Sequence, residues 1–443
     1  MIHSNNSLVS SMNPASDPRQ MRRIIAEDPE WNLATVPLLT ELCVNNIIFN
    51  FANNPILDSL LPAHKTKVLN KISVDLPLAI TAPLIDYPDY WKRCCTSRWR
   101  VCDVSLYGGC WKRMFFERNL EELIEKFVPG TTDPSILNLV LSLSANFIQS
   151  LNIKQLLPPV KESPNKDEDD LSDSGSESGD APAVDHFDMN VVVQALPRLE
   201  ELHITYGVVD CGMNFEWNLF DFTSRDCSFL AKAVKVCHSL KMLHLHKSKV
   251  DDEKARVLIS HMMDHPCLEI LDLSYNKIGN SGARAIGKLL NGHCKLITLD
   301  LTDNRIEAQG AAAIGHAIGK NNTLKKMSLR LNRLADDGCQ SICRALISKN
   351  ACIEEINLGS NDFGVASAAF IAQVLVYNKS LTSFNLSCNK ITEEGGKTIQ
   401  EGMEDNNTIT SMDLRLTDIG QECEYCISQM LKKNKEAKRK PIT

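Results

Sequence analysis

The sequence predicts an α/β solenoid, in which strand–helix units of about 28 residues stack into a curved parallel sheet, preceded by a small, mainly helical domain. One observation is the pattern Leu-x-x-Leu-x-Leu-x-x-Asn-x-Ile, whose Asn position recurs at nearly constant spacing: 248, 276, 304, 332, 361, 389 and 417. A second is that apolar residues after each Asn position, such as Ala283, Ile286 and Leu290, share one helical face. A single unit cannot bury these residues alone, so neighbouring units must stack.

The Leu-x-Leu part of each unit predicts a short strand. Its period of two places both leucines on one face and the residue between them on the other. The Asn that follows turns the chain, and its amide can bond to backbone groups of the adjacent turn. We therefore expect a structural role for the repeat asparagines Asn276, Asn304, Asn332, Asn361 and Asn389. Ser248 and Thr417 replace Asn in outer units, as terminal repeats often depart from the consensus.

The residues that face away from the buried leucines predict a polar concave surface. Solenoids use such extended curved faces to bind other proteins. We predict a partner-binding face that includes His244, Asp272, Asp300, Arg330, Asn357, Asn385, Asp413 and Arg415. Asp272 and Asp300 are interpreted as a solvated acidic stripe, because no nucleophile accompanies them.

Three histidines on this face raise the alternative of a metal site. His203 and His244 occupy equivalent positions in adjacent units, and His246 lies two residues further along the chain. Neighbouring strands are about 4.8 Å apart, so the three rings could converge on a metal ion. The histidines lack supporting carboxylates in the pattern, and we favour a polar surface without a metal.

The repeat pattern resembles the leucine-rich repeat superfamily, and within it the ribonuclease-inhibitor-like class, over about residues 196–431. The resemblance implies a concave sheet and convex helices. An aromatic insertion at residues 213–226, with Phe215, Trp217, Phe220 and Phe222, separates the first two units. We interpret it as a plug for the end of the core in preference to a partner contact.

Charge is concentrated in two segments. The whole chain has a net charge of −7, but residues 161–188 hold ten acids and two lysines, and residues 432–443 hold six bases and one acid. The acidic segment has too little apolar content to offset the entropy of ordering. The predicted organisation is a disordered start (1–20), a helical domain (21–159), an acidic disordered linker (160–190), the solenoid (191–431) and a basic tail (432–443).

Composition and motifs argue against several functional classes. The acidic net charge of −7 disfavours a nucleic-acid binder that relies on overall basicity. The start lacks the apolar core of a secretory signal and no run approaches a membrane span, so we expect a soluble intracellular protein with 16 free cysteines. Cys423 and Cys426 form a Cys-x-x-Cys pair with no second pair at ligand spacing, which favours structural thiols. No nucleotide-binding or hydrolase motif is present, so we predict no catalytic residue and no cofactor.

The amino-terminal region contains no repeat. Helices are predicted between its prolines at 37–51, 63–73, 90–100, 119–128 and 134–157. Leu61 and Pro62 precede one of these helices, and Trp91 is followed by Lys-Arg-Cys-Cys in another. Trp91, Trp99 and Trp111 are predicted to pack in a core or between helices.

This helical start, the acidic linker and the 28-residue repeat together resemble the subunit 5 family of the axonemal nexin–dynein regulatory complex, the T-complex-associated testis-expressed type. The resemblance covers nearly the whole chain. It implies a non-enzymatic scaffold in the axoneme of cilia and flagella, part of the cytoplasmic cytoskeleton, where the complex links outer doublets and restrains dynein-driven sliding. The implied partners are other subunits, including leucine-rich-repeat or coiled-coil subunits, with microtubule doublets as a further candidate and neither membrane nor nucleic acid.

Two other functions stay open. A Leu-Pro pair before a helix and a tryptophan near an Arg/Cys cluster also loosely resemble an F-box, which often precedes leucine-rich repeats in substrate adaptors of ubiquitin ligases. Here, however, Pro77 and Pro83 interrupt the segment after that helix. A family of GTPase-activating proteins uses the same repeat class with an acidic segment, but there the acidic segment lies after the repeats.

Overall fold

The computed structural model describes residues 21–23, 35–159, 185–209, 211–213, 217–348 and 352–439. The chain divides into two compact units, Met1–Phe115 and Phe116–Thr443. The predicted disordered start, residues 160–184 of the predicted linker and residues 440–443 of the predicted tail lie outside the described residues. Within the described ranges, no helix combines the length and apolar character needed to cross a bilayer.

The first unit is mainly helical, as its sequence predicts. A short antiparallel pair, β1 (Met21–Arg23) and β2 (Thr35–Pro37), precedes α1 (Leu39–Phe49), α2 (Pro62–Lys71), α3 (Leu78–Leu84) and α4 (Pro88–Arg98), and α5 (Trp111–Glu125) begins in this unit. The sequence does not predict α3, because Pro77 and Pro83 suggest a break. Pro77 instead caps the start of the helix and Pro83 falls in its last turn.

Trp91 lies at the centre of the first unit's core. Its side chain is buried, its indole N–H donates to a backbone carbonyl at 2.9 Å, and its ring packs against Tyr90 and Phe115. Trp99 is also buried, against the same Phe115. The predicted core role therefore holds for these two tryptophans, whereas Trp111 is half-buried.

The second unit is a solenoid of alternating strands and helices. It begins with the end of α5 and with α6 (Pro134–Ser144), and nine parallel strands then pair with one another in chain order. The strands are β3 (Ser150–Ile153), β4 (Glu201–Ile204), β5 (Met242–Leu245), β6 (Ile270–Asp272), β7 (Thr298–Asp300), β8 (Lys326–Ser328), β9 (Glu355–Asn357), β10 (Ser383–Asn385) and β11 (Ser411–Asp413). The helices are α7 (Met189–Ala195), α8 (Ser224–Val236), α9 (Asp252–Met262), α10 (Asn280–Asn291), α11 (Ala308–Ile318), α12 (Ala335–Ser348), α13 (Val365–Tyr377), α14 (Thr392–Glu404) and α15 (Gln421–Arg439).

The apolar positions of the repeat form one continuous core. Leu271 and Leu299 are strand positions in neighbouring repeats, and both are fully buried. The helix positions Ala283, Ile286 and Leu290 are buried against them, as the spacing predicts. Burying each large apolar side chain contributes about 1.5–3 kcal/mol, so stability rises with every stacked repeat.

The repeat asparagines join successive repeats through their side-chain amides. Asn304 Nδ2 donates to Leu301 O at 3.1 Å in its own turn and to Leu273 O at 3.0 Å in the preceding repeat. Its Oδ1 accepts the N–H of Ile278 at 3.0 Å. Equivalent pairs of donated bonds are made by Asn276, Asn332, Asn361 and Asn389. This geometry satisfies buried backbone groups at each turn and accounts for the recurrence of Asn.

The step from Asn332 to Asn361 is one residue longer than its neighbours, and the turn after Asn332 has a different hydrogen-bond pattern from the turns after Asn276 and Asn304. Ala335 adopts a left-handed φ of 51°, and its N–H donates to Asn361 O at 3.0 Å. Asn361 Oδ1 is buried and has no hydrogen-bond partner among the described residues. A buried acceptor left unpaired costs about 1–3 kcal/mol, so this is a weak point of the array.

The structure moves the predicted domain boundaries at both ends of the solenoid. The helix predicted over 134–157 ends at Ser144, and the chain then forms β3, so the sheet begins inside the segment assigned to the helical domain. At the other end, α15 continues through the predicted basic tail as far as Arg439. Asn434 in this helix is buried and donates to Asn406 O at 3.0 Å, which fastens the helix to the preceding repeat.

The β3 edge of the sheet is covered by one face of α5. The carboxylates of Glu117, Glu121 and Glu125 accept backbone N–H groups of β3 and its flanking residues at 2.7–3.0 Å. Their spacing of four residues places all three on the same helical face. Burial raises the pKa of Glu121 to about 7. The carboxylates thus occupy edge groups that could otherwise pair with another strand.

Candidate functional site

In-register strand pairing arranges the concave side chains in rows that run along the solenoid. The middle row consists of His203, His244, Asp272, Asp300, Ser328, Asn357, Asn385 and Asp413, each paired with the next across the sheet. The outer row lies two residues further along the chain in each repeat: Thr205, His246, Ser274, Thr302, Arg330, Gly359, Ser387 and Arg415. All predicted face residues lie in these two rows, and their role in binding stays a prediction.

The histidine end of the face is stabilised by its own contacts. The rings of His203 and His244 stack, with centroids 4.1 Å apart and planes 8° from parallel. His244 Nδ1 lies 3.1 Å from Asp272 Oδ2, so a carboxylate supports this histidine where the sequence indicated none. Burial, together with the nearby His244 and His246, lowers the pKa of His203 to about 4. A neutral, stacked imidazole is therefore the stable form at neutral pH.

The three histidines do not form a metal-binding group in the structure. His246 Nε2 is directed to Thr205 Oγ1 at 3.4 Å, while His244 is engaged by Asp272. Across the described ranges, no three His, Cys, Asp or Glu side chains are grouped so that they could hold a metal ion. The geometry here is that of a stacked polar surface.

The neighbouring carboxylates of Asp272 and Asp300 differ in their surroundings. Burial opposes the charged form of Asp272, but hydrogen bonds from His244 and Ser274 outweigh burial and lower its pKa. Burial raises the pKa of Asp300, and the adjacent Asp272 adds to that rise. Asp300 Oδ1 accepts the N–H of Thr302 at 2.8 Å, but in the described part of the chain its carboxylate has no ion-pair partner.

The two arginines of the outer row also differ. Arg415 forms two bonds to Asp413, at 2.9 Å from Nε and 2.7 Å from a terminal guanidinium nitrogen. Hydrogen bonding from Arg415 lowers the pKa of Asp413, with a smaller contribution from the charge of Arg330. The Arg330 side chain is exposed, and its guanidinium has no hydrogen bond or ion pair within the described residues. Arg330 is thus available to a partner, whereas Arg415 is already paired.

Two open depressions lie on this face. One, of about 480 Å³, covers the centre of the sheet and is lined by Asp300, Arg330, Ser328 and Asn357, among others. The other, of about 730 Å³, lies at the carboxyl-terminal end and combines Arg330 and Arg415 with apolar side chains such as Leu416. Arg330 lines both, a position that the sequence pattern alone does not distinguish from that of Arg415.

The remaining predicted features are the aromatic insertion and the cysteines, and both include buried side chains. Phe222 of the aromatic insertion is buried against Tyr206, as a core plug requires, while Phe215 lies outside the described residues. All 16 cysteines are free thiols, and Cys423 of the Cys-x-x-Cys pair is buried in α15. Burial raises the pKa of Cys423, which disfavours the reactive thiolate.

A family model for leucine-rich repeats matches four segments of the array, residues 264–287, 292–315, 320–343 and 377–399. The chain therefore contains leucine-rich repeats, and its parallel sheet of strand–helix units has the corresponding fold. Among its remaining repeats, those with Ser248 and Thr417 depart from the consensus at the Asn position, whereas the repeat with Asn361 keeps it, and all three are visible in the sheet pairing. The fold class, a curved parallel sheet with one helix per repeat, is the one predicted from the sequence.

This chain is similar to curated proteins called dynein regulatory complex subunit 5. It is 56% identical to the human protein over 257 residues, which cover 58% of this chain and 51% of the relative. The mouse protein is 55% identical over 252 residues, which cover 57% of this chain and 51% of the relative. The Chlamydomonas reinhardtii protein is 31% identical over 220 residues, which cover 49% of this chain and 50% of the relative. The chain thus spans about half the length of the curated relatives it matches.

Solved structures with some similarity include the actin-binding site 2 of leiomodin-1 and the carboxyl-terminal domain of Caenorhabditis elegans tropomodulin. The leiomodin match has 17% sequence identity and covers 36% of this chain and 91% of the leiomodin chain. The tropomodulin match has 14% sequence identity and covers 35% of this chain and 95% of the tropomodulin chain. Both have a TM-score of 0.31, which is too low to support an inference about function.

Proposed function

We propose that this chain is a non-enzymatic scaffold subunit of the axonemal nexin–dynein regulatory complex. In this role its concave face binds other subunits of the complex, including leucine-rich-repeat or coiled-coil subunits, and helps to regulate dynein-driven microtubule sliding and the beating of cilia and flagella. The observation that carries the proposal is 56% identity over 257 residues to human dynein regulatory complex subunit 5.

The geometry of the concave face supports binding. The side chains of the middle row are half-buried, and the rows are polar over nearly their whole length. Such a surface offers shape and charge to a protein partner. Within the described residues, the acids of the face are held by a histidine, by an arginine, or by the backbone and side-chain groups of Ser274 and Thr302.

The described residues supply no observation in favour of either alternative, an F-box-like substrate adaptor or a GTPase-activating protein. A pull-down for the ligase subunit that binds F-boxes would test the first, and a GTP hydrolysis assay the second. Both assays use the purified full chain.

The test of the proposed function is to express a tagged full chain in ciliated cells that lack the endogenous copy. We expect the tag to lie along the axoneme and to remain there after detergent removes membrane and soluble protein. We also expect it to co-purify with other regulatory-complex subunits. Diffuse cytosolic signal, fully released by detergent, would show that the proposal is wrong.

A further inference from the structure

We propose that the centre of the concave face recognises a mixed-charge segment of a partner protein, with a basic side chain bound beside Asp300 and an acidic side chain bound beside Arg330. The inference rests on the proposed function, because it names the chemistry of the partner that the same face would bind. It selects one part of the face and assigns a sign to each contact.

Pairing within the two rows singles out these residues. Asp272 is engaged by His244 at 3.1 Å, and Asp413 by Arg415 at 2.7 Å. In the described part of the chain, Asp300 is bonded to the backbone N–H and the side chain of Thr302 but has no ion-pair partner, and the Arg330 guanidinium has no hydrogen bond or ion pair. An ionised side chain gains most from a new partner of opposite charge when no internal ion pair competes, so these two residues are the ones that an incoming segment can pair with.

The two charges face the same space but do not neutralise each other. Asp300 and Arg330 both line the depression of about 480 Å³, yet they make no ion pair. Asp300 pairs with Ser328 across the sheet, and Arg330 lies two residues beyond Ser328, so the backbones of Asp300 and Arg330 are separated by roughly 8 Å. Basic and acidic residues two apart on a strand, or four apart on a helix, present their charges at a similar spacing.

The surroundings of the two charges leave room for a partner backbone. Gly359 follows Arg330 in the outer row, and a Cβ atom there would lie 3.0 Å from Ser387 Oγ and 3.2 Å from Asn385 Oδ1. The absence of a side chain exposes a polar floor next to the guanidinium. Asn357 lines the same depression and contributes amide groups that can bond to a peptide backbone.

The test is selection of a random 12-residue peptide-display library on the immobilised full chain, followed by sequencing of the enriched peptides. For the wild-type protein we expect enrichment of peptides with one basic and one acidic residue at a fixed spacing and order. Arg330→Gln should lower enrichment at the acidic position about tenfold, the size expected for loss of a charge-assisted hydrogen bond. Asp300→Asn should do the same at the basic position alone.

The matched control is Arg305→Gln, which removes an exposed guanidinium that lines neither depression. It should leave the enriched sequences unchanged, and circular dichroism should show that all variants are folded. The inference is overturned if wild-type selection shows no charge preference, or if Arg330→Gln and Asp300→Asn enrich the same peptides as wild type. Because selection requires no cilia, this outcome is independent of axonemal localisation, which tests the proposed function.

Discussion

The histidine end of the concave face and its centre both contain ionisable side chains, but these are satisfied in different ways. At the histidine end, His203 stacks on His244, which in turn contacts Asp272 at 3.1 Å. At the centre, Asp300 and Arg330 line one depression and have no ion pair in the described structure. The contrast shows that one repeat architecture can carry both a region whose ionisable side chains are paired internally and a region whose charges have no internal ion pair.

The largest expected effect is on the free energy of unfolding, and it concerns the buried turn residues that lie beneath the two regions. Asn304, below the centre, bonds to Leu273, Leu301 and Ile278, whereas Ser248, below the histidine end, accepts from Tyr206 N and donates to His246 O. Asn304→Ala should therefore lower the free energy of unfolding by about 3 kcal/mol, and Ser248→Ala by about 1–2 kcal/mol. Urea unfolding followed by circular dichroism gives both values, and an equal loss would contradict the difference in bonding.

A smaller effect is expected when the acidic residues at the junction of the two regions are reversed. Asp272→Lys with Asp300→Lys should weaken capture of regulatory-complex subunits from axonemal extract about tenfold, because a basic partner group would meet two positive charges. Unfolding should remain cooperative, with only a modest decrease in melting temperature from the loss of the Asp272 bonds to His244 and Ser274. A large loss of thermal stability instead would show that the acids serve the fold and not a partner.

The histidine end should also respond to pH. Since the pKa of His203 is about 4 in the folded protein and near 6.5 in the unfolded chain, the unfolded chain binds more protons between these values. The contribution of His203 to stability is therefore complete above about pH 6.5 and falls as pH drops towards 4. His203→Gln should reduce the loss of melting temperature between pH 7 and pH 5. An unchanged loss would place the pH dependence in other groups.

The smallest effect on stability is expected outside both regions, on the exposed basic surface of α15. Lys432, Lys433 and Lys435 are exposed, whereas Asn434 between them is buried, so charge reversal is a cleaner change than truncation. Reversing the three lysines to Glu should change the free energy of unfolding by about 0.5 kcal/mol or less. If this surface contacts microtubules, co-sedimentation with them should fall. Undiminished co-sedimentation would exclude the contact.

The repeat fold is predictable because each of its requirements leaves a mark at a fixed spacing. Paired leucines define the strand, the helix residues define a second apolar face, and Asn276 or Asn304 marks the turn, where a buried amide is needed. By contrast, β3 has no Asn after it and is followed by the acidic segment, so nothing local distinguishes it from the end of a helix. Its pairing depends on β4, which is distant in sequence.

The location of the candidate site can be predicted from the sequence, but the pairing of its side chains cannot. The alternation of residues within each strand places Asp300 of β7 on the concave face. Arg330 lies two residues after the end of β8 and is on the same side. The sequence cannot show that Arg415 is held by Asp413 while Arg330 is not, because that depends on side-chain geometry between and within repeats. For the same reason, the support of His244 by Asp272 becomes visible only in the structure.

The most direct test of the central claim is the retention of tagged full chain on detergent-extracted axonemes during a stepwise salt wash. The wild type is compared with the charge-swapped variant Asp300→Lys with Arg330→Glu and with the control Arg305→Gln. We predict that wild type and control stay bound, whereas the charge-swapped variant is released at clearly lower salt while remaining folded. Equal retention of all three proteins would contradict the claim that the unpaired charges at the centre of the concave face hold this chain to its partner.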